Sequence, residues 1–437
     1  MKLARGPWST LRWRTRIVLW LASALAGLAV VCFAKMADGA LYVFFSLTKA
    51  HPWAPLVLAP VIGMVTVWAT RKYFAGSQGS GIPQVIAATR NAKLGRAVDG
   101  LVSLRIACGK ILLGCFALVG GFSAGREGPS VQVASSILHF SHRFLPHARA
   151  IRAEDLILAG GAAGVAAAFN TPLAGIVFAV EELGRRLETR TSGVLISTII
   201  LSGLVSIALL GNYNYFGRFS AADVSLAIVL PVLVCGVVCG WLGGLFSQIL
   251  LWPQRRPGFV LWRWRTEHPV KFAGLCGLAV ALVGLGAQGL SFGSGYAITQ
   301  QVVTGELALP WYAAAARYLA TLLTYFSGIP GGIFAPSLAV GAAMGANLAP
   351  LFPGDGAVIP VITLCMTAFL AAVTQSPITA AIIVMEMVDG HGMVLSLMAV
   401  ALIARAVSSR LGPELYQQLA VGFLRDDGAA PTATAIK

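Results

Sequence analysis

Charge is what this sequence has least of. Acidic and basic residues make up 11% of its 437 positions, and only 17 are Asp or Glu. A soluble domain carries about 25% charge, so an ordinary water-facing surface is excluded. Histidine is nearly as scarce. The six residues His51, His139, His142, His147, His268 and His391 fall mostly in polar, loop-like stretches, with no ligand spacing among them. The seven cysteines sit in apolar runs. Cys235 and Cys239 are four apart, but no histidine or carboxylate completes a ligand set. They read as small core hydrophobes, and neither a disulfide framework, a metal nor a cofactor is expected.

Apolar residues fill the space that charge leaves. The chain is 57% hydrophobic, with a mean hydropathy of +0.78. That describes a polytopic membrane protein with length for ten or more spans. The formal net charge of +15 would suggest nucleic acid in a soluble protein. Here basic residues mark cytoplasmic loops instead. They cluster at Arg71 to Arg96, Arg143 to Arg152, Arg185 to Arg190, Arg255 to Lys271 and Arg405 to Arg425. The stretches Gly211 to Asp223 and Leu290 to Leu309 hold one basic residue between them, Arg218, and read as external. The segment 1–16 is basic, with Trp8 and Trp13, and reads as cytoplasmic and interface-lying. The run Ile17 to Ala34 is long enough to span. No clear cleavage site follows it, so a retained helix is expected rather than a signal peptide. Trp252, Trp262 and Trp264 suit an interfacial aromatic belt.

Many apolar segments are interrupted by glycine (49) and proline (21). Broken helices at membrane depth survive only where they line a cavity or are buried in protein. Their spacing shows a duplication. Pro129 and Pro336 are 336 − 129 = 207 apart, and Lys110 and Arg317 are 317 − 110 = 207 apart. Pro172 and Pro377 are 377 − 172 = 205 apart, and each precedes a glutamate, Glu181 or Glu386, by nine. Two repeats of about 200 residues are expected, 17–210 and 211–412, followed by a C-terminal segment 413–437 whose tail from Asp426 reads as disordered. Paired interruptions in two halves point to a transport site.

Three of the interruptions run from glycine to proline: G-S-G-I-P from Gly79, G-R-E-G-P from Gly125, and G-G-I-F-A-P from Gly331. Helix N-termini present unpaired N–H groups and about half an elementary positive charge. A preceding glycine lets an anion approach the backbone, and proline in the first turn sacrifices no needed donor. Convergence of the three would bind an anion weakly enough to release it. Ser80 adds a hydroxyl donor. Glu127 is a carboxylate at one such terminus. The second repeat keeps the proline there but lacks the acid, so Glu127 is not needed to build the helix end. It reads as the gate of an anion pathway.

The three motifs, in this order and within a duplicated membrane chain, resemble the signature motifs of the CLC family of chloride channels and chloride/proton exchangers. The resemblance covers the chain from about Trp53 to the last span. It implies an all-α inverted-repeat fold of about eighteen helices, a homodimer, and one anion pathway per subunit, in a bacterial inner membrane with both termini cytoplasmic. It makes Ser80, the backbone amides of Ile333 and Phe334, and the Tyr416 hydroxyl the ligands of a central chloride. It makes Glu127 the external gate and proton acceptor, and Glu182 the internal proton-transfer residue of exchangers. Chloride/proton antiport is therefore expected, with a passive gated channel as the alternative. Members selective for fluoride or nitrate usually depart from these motifs, whereas this chain keeps them. Two positions differ from many relatives: Gln84 and Ile86 stand where carboxylates occur, which leaves Lys110 without its acid partner. A buried lysine so placed should face carbonyls or the anion. Glu181 reads as an interfacial acid facing the Arg185 to Arg190 loop, and Glu386 as structural. A remote alternative is hydrolysis by Ser123, which sits in G-F-S-A-G, the nucleophile-elbow pattern. No histidine has a fitting motif, so an enzyme is not expected.

Overall fold

The structure is a computed structural model that describes residues 7–145, 151–184, 192–211, 216, 228–352 and 358–424. The Arg185 to Arg190 loop, most of Gly211 to Asp223 and the tail from Asp426 lie outside the described residues. Eighteen α-helices lie among the described residues. The first half contains α1 (Pro7–Ala50), α2 (Pro55–Tyr73), α3 (Ile82–Lys93), α4 (Leu104–Val119), α5 (Glu127–Ser141), α6 (Ala153–Phe169), α7 (Pro172–Phe178) and α8 (Ser192–Leu210). The second contains α9 (Val229–Arg255), α10 (Val260–Glu267), α11 (Pro269–Gly286), α12 (Tyr296–Val303), α13 (Ala313–Ser327), α14 (Phe334–Leu348), α15 (Val358–Thr374), α16 (Pro377–Val388), α17 (Val394–Leu411) and α18 (Leu415–Leu424). The all-α expectation holds, and the helix number matches.

Six described helical segments are long and apolar enough to cross a bilayer. Others are too short. Helix α5 has 15 residues, or roughly 22 Å at 1.5 Å per residue, against a hydrocarbon core of about 30 Å. Such a helix ends inside the membrane, where its terminus must face protein or a polar cavity. Helix α1 is the opposite case. It is continuous over 44 residues, so it runs through the expected boundary after Arg16 and continues past Ala34.

The repeats are related by a local two-fold, and two reciprocal contacts show it. Gly125 and Gly332 form an antiparallel bridge in which each donates its N–H to the other's carbonyl, at 2.7 and 2.8 Å. Their offset, 332 − 125 = 207, is the repeat offset. Equivalent residues that pair antiparallel across one point are related by a local two-fold axis. Helices α5 and α14, which begin two residues later, therefore run apart from a shared centre. The second contact involves the repeat glutamates. Glu181 accepts from the N–H groups of Ile378 (3.2 Å) and Thr379 (2.7 Å) at the start of α16. Glu386 accepts from those of Leu173 (3.3 Å) and Ala174 (2.8 Å) at the start of α7. Each repeat caps a helix of the other. This corrects the expectation for Glu181: its carboxylate answers a helix N-terminus.

Small residues allow the broken helices to close up. A Cβ on Gly164 would lie 2.6 Å from Ser130 O, and one on Gly160 2.6 Å from Ser135 Cα, so α6 packs backbone to backbone on α5. In the second repeat, Gly341 and Gly345 of α14 meet the backbone of Met366 and Ile362 on α15 equally closely. This is the small-residue packing that substitutes for a hydrophobic driving force in lipid. Trp262 departs from the aromatic-belt expectation. It is 3% exposed and packs on Phe326 (4.9 Å between centroids) and Trp252 (5.5 Å), pinning α10 to α13.

Candidate anion site

The three glycine-to-proline loops converge. Gly79 donates to Ile329 O (3.0 Å) and accepts from Gly331 N (3.0 Å), while Gly125 pairs with Gly332. The starts of α3, α5 and α14 are thus tied together by backbone hydrogen bonds. No side chain caps α5 or α14, so their first-turn N–H groups are left for other acceptors. Glycine is required by the closeness of approach. A Cβ on Gly128 would lie 2.5 Å from Ser80 Oγ, and Gly81, at φ +98°, would put one 2.9 Å from Gly128 O.

Ser80 and Tyr416 meet at this centre. Both are buried, at 2% and 0% exposure. Neither hydroxyl has a hydrogen-bond partner of normal geometry, although the two lie close enough to interact with each other. A buried hydroxyl without a partner costs about 1–3 kcal/mol, so two together mark a place built for an acceptor from outside the chain. The Tyr416 ring is held by a stack on Phe334, with 5.9 Å between centroids and planes 7° apart. Phe169 and Phe178 flank Phe334 at 6.1 Å each. Ile333 and Phe334, both 2% exposed, open α14 beside the Gly125–Gly332 bridge.

Two buried carboxylates lie near this centre. Glu127, 1% exposed, folds its carboxylate back over the α carbon of Gly125. Glu182, 3% exposed, lies in a π-helical turn, Ala179–Gly184; such turns are frequent at functional sites. Ser376 donates its hydroxyl to the Glu182 carboxylate, and Gln417 of α18 donates to the Glu182 carbonyl at 2.9 Å. Gln417, next to Tyr416 on α18, ties Glu182 to that helix, and Glu127 opens α5 beside Gly128, which touches Ser80, so Ser80, Tyr416, Glu127 and Glu182 form one candidate constellation. Ser376 and Gln417 were not legible as its members from the sequence. Ser376 lies two residues past the end of α15, and only the fold brings it to Glu182.

Lys110 is fully buried and donates to the carbonyls of Ser77 (2.7 Å), Gln78 (3.4 Å) and Gly79 (2.8 Å). It faces carbonyls, one of the two options left by the loss of its acid partner. The repeat equivalent behaves alike: Arg317 donates to Gly293 O (2.8 Å), Phe292 O (3.3 Å) and Leu290 O. Each cation stiffens the loop that leads into a short helix, α3 or α12. Gln84 completes the first loop. Its Oε1 accepts from Gly81 N at 3.1 Å while its amide donates to Gln78 O, a pairing an ionised glutamate cannot make.

Ser123 is not part of the constellation. Its N–H donates to Thr324 Oγ1 at 3.0 Å, and its Oγ is 2.9 Å from Thr321 Oγ1. Thr321 gives its own proton to Arg317 O, so Ser123 must donate to it. That proton is engaged in packing the turn after α4 onto α13. Arg126 reaches α1, donating to Ala34 O (2.9 Å) and Asp38 Oδ1 (2.6 Å), which anchors the loop before Glu127.

Comparison with known proteins identifies the family. The model of the voltage gated chloride channel family matches residues 62–409. The chain belongs to the CLC family. Among its relatives, the H(+)/Cl(-) exchange transporter ClcA of Cronobacter sakazakii is 31% identical over 449 residues, covering 95% of this chain and 91% of that protein. ClcA of Yersinia pseudotuberculosis is 29% identical over 406 residues, covering 88% and 79%. Two solved CLC-like structures share the fold at 23% identity, each covering 95% of this chain and 99% of its own. They are a slow cyanobacterial Cl−/H+ antiporter, with a TM-score of 0.81, and a CLC-type fluoride/proton antiporter, with 0.79.

Proposed function

We propose that this CLC protein exchanges chloride for protons across a bacterial inner membrane, with Glu127 as external gate and Glu182 as internal proton-transfer residue. The observation that carries the reading is the constellation itself. Two buried hydroxyls, Ser80 and Tyr416, lie together where the starts of α3, α5 and α14 converge, and two buried carboxylates from different elements, Glu127 and Glu182, lie near them. The relatives agree, since the ClcA proteins are named H(+)/Cl(-) exchange transporters.

The chemistry follows from competition. Chloride and the Glu127 carboxylate are both anions, and both are favoured by the positive ends of α5 and α14. While Glu127 is ionised it holds the site and blocks chloride. Protonation removes its charge and with it the attraction, so the side chain leaves and chloride takes its place. One group thus stops the anion and accepts the proton. Glu182, hydrogen-bonded by Ser376, supplies a second proton station away from the anion route, as a coupled exchanger requires. The protein has the lipid bilayer as its solvent and assembles as a homodimer.

Purified protein in liposomes tests the reading. A chloride gradient is expected to drive protons uphill against their own gradient. Chloride flux with no proton movement assigns a passive channel instead.

A further inference from the structure

A cavity of about 530 Å³ lies between α9, α13 and α14, and none of its lining residues belongs to the anion constellation. Its origin is the way α9 packs. Gly236, Gly240 and Gly244 of α9 meet Ile403, Ala404 and Ser408 of α17, and Gly243 meets Ala372 of α15. Each neighbour is within 3.1 Å of where a Cβ would stand. Small residues thus draw α9 onto α15 and α17, away from α13 and α14. In the first repeat the corresponding corner is closed. There Phe33 of α1 packs with Cys115 and Leu118 of α4, and Arg126 reaches α1. At the repeat position of Arg126 (333 − 126 = 207) stands Ile333, whose side chain carries no donor to tie α9 down.

The lining is graded. Val340 and Met344 of α14, 1% and 6% exposed, form a buried apolar floor, while Leu245 and Leu319 stand exposed at the rim, so the groove opens sideways toward lipid. The Tyr318 hydroxyl donates to Leu242 O at 3.2 Å, and Asn347 Nδ2 donates to Trp311 O at 2.8 Å. A buried water needs about 2–4 polar partners, which the floor does not offer. Asn347 and the exposed Trp311 lie at one end, by the end of α14 and the start of α13. The other end of α13 carries Phe326, packed on Trp262 of the basic α10 segment. From Asn347 to Val340 the lining descends 347 − 340 = 7 residues of α14, about 10 Å at 1.5 Å per residue. An interfacial tryptophan and an amide above an apolar slot match a lipid standing in one leaflet. We infer that the groove holds one acyl chain of a phospholipid from the leaflet opposite α10, its headgroup beside Trp311 and Asn347. The volume falls within the range of about 300–1,000 Å³ for ligand pockets. The chain lies along α14, whose first turn opens the anion site. The inference needs only that the protein spans a bilayer; it stands apart from the transport reading.

The probe is a phosphatidylglycerol carrying a diazirine on one acyl chain, mixed into vesicles that hold the full-length protein. Irradiation expels dinitrogen and leaves a carbene, which inserts into a neighbouring C–H bond, and peptide mass spectrometry locates the adduct. Surrounding lipid reaches exposed side chains such as Leu25 and Leu282, but reaches Val340 and Met344 only through the groove. A diazirine near the chain terminus is expected to label Val340 and Met344, and one near the headgroup to label Leu348. Two substitutions fill the groove from opposite walls, Ala315→Phe on α13 and Val238→Phe on α9. Each is expected to lower labelling of Val340 and Met344 roughly tenfold by overpacking the slot, with Leu25 and Leu282 labelled as before. If one variant fails to fold, the other carries the comparison. Labelling of Leu25 and Leu282 without Val340 and Met344 overturns the site, as does floor labelling that survives both substitutions. Reversal of the two probes, with the terminal diazirine at Leu348, overturns the assigned leaflet.

Discussion

At Glu127 two physical preferences act on the same few atoms. The first turn of α5 favours a negative charge, by about 0.3–1 kcal/mol in exposed settings and up to about 2 kcal/mol when partly buried. Burial at 1% exposure acts the other way, because an ionised carboxylate loses its hydration. The proposed gate would move between these two preferences as it gains and loses a proton. Glu127→Gln removes both the charge and the titration while keeping the shape. The expected result is proton transport reduced to background and chloride flux that persists and no longer varies with pH. Retained coupling in that variant would remove Glu127 from the mechanism. The sequence made this residue legible because the second repeat preserves the scaffold and omits the acid. Lys110 was only half legible. Its burial could be expected from the apolar run around it, but its acceptors are main-chain carbonyls, and carbonyls carry no side-chain signature.

Among the elements, the adjacent pair Glu181 and Glu182 turn to different partners within one turn. Glu181 caps α16 from the other repeat, as Glu386 caps α7, whereas Glu182 points inward to Ser376. Replacing a capping acceptor costs about 0.5–2 kcal/mol. Glu181→Gln and Glu386→Gln should therefore each lower the thermal midpoint of the purified protein by similar amounts, because they are equivalents under one two-fold axis, and coupling should survive in both. Glu182→Gln should do the reverse, losing proton transport while keeping chloride flux and stability. Parallel melting curves and flux assays on the three variants check this, and a loss of coupling in Glu386→Gln would contradict it. The duplication itself was readable from the 205 and 207 offsets, since proline and glycine are fixed where helices break. The inversion was not. It depends on which way each repeat enters the membrane, whereas the structure adds the local two-fold between the repeats, seen where Gly125 meets Gly332 and the glutamates cross over.

For the whole molecule, what matters is that every residue of the candidate constellation comes from one chain. Ser80 comes from the loop before α3, Glu127 from α5, Glu182 from the π-helical turn after α7, Phe334 from α14 and Tyr416 from α18. The inverted repeat brings these together at the protein centre, with no residue required from a second subunit. Exposed apolar side chains on α8 and α17, such as Ile200, Leu204, Leu395 and Leu402, offer a surface on which two copies can associate. A homodimer of 2 × 45.6 = 91.2 kDa of protein then contains two separate pathways. This makes a quantitative prediction about mixed assemblies. When unsubstituted chains and Glu127→Gln chains are co-expressed and reconstituted at known ratios, each unsubstituted subunit should contribute its full proton flux whatever its partner. Proton transport should fall in direct proportion to the fraction of unsubstituted chains. A pathway shared at the subunit interface would instead make transport fall with the square of that fraction, because both subunits would have to carry Glu127. At equal amounts of the two chains the alternatives differ twofold, one half against one quarter, and a proton-flux assay normalised to protein mass resolves them.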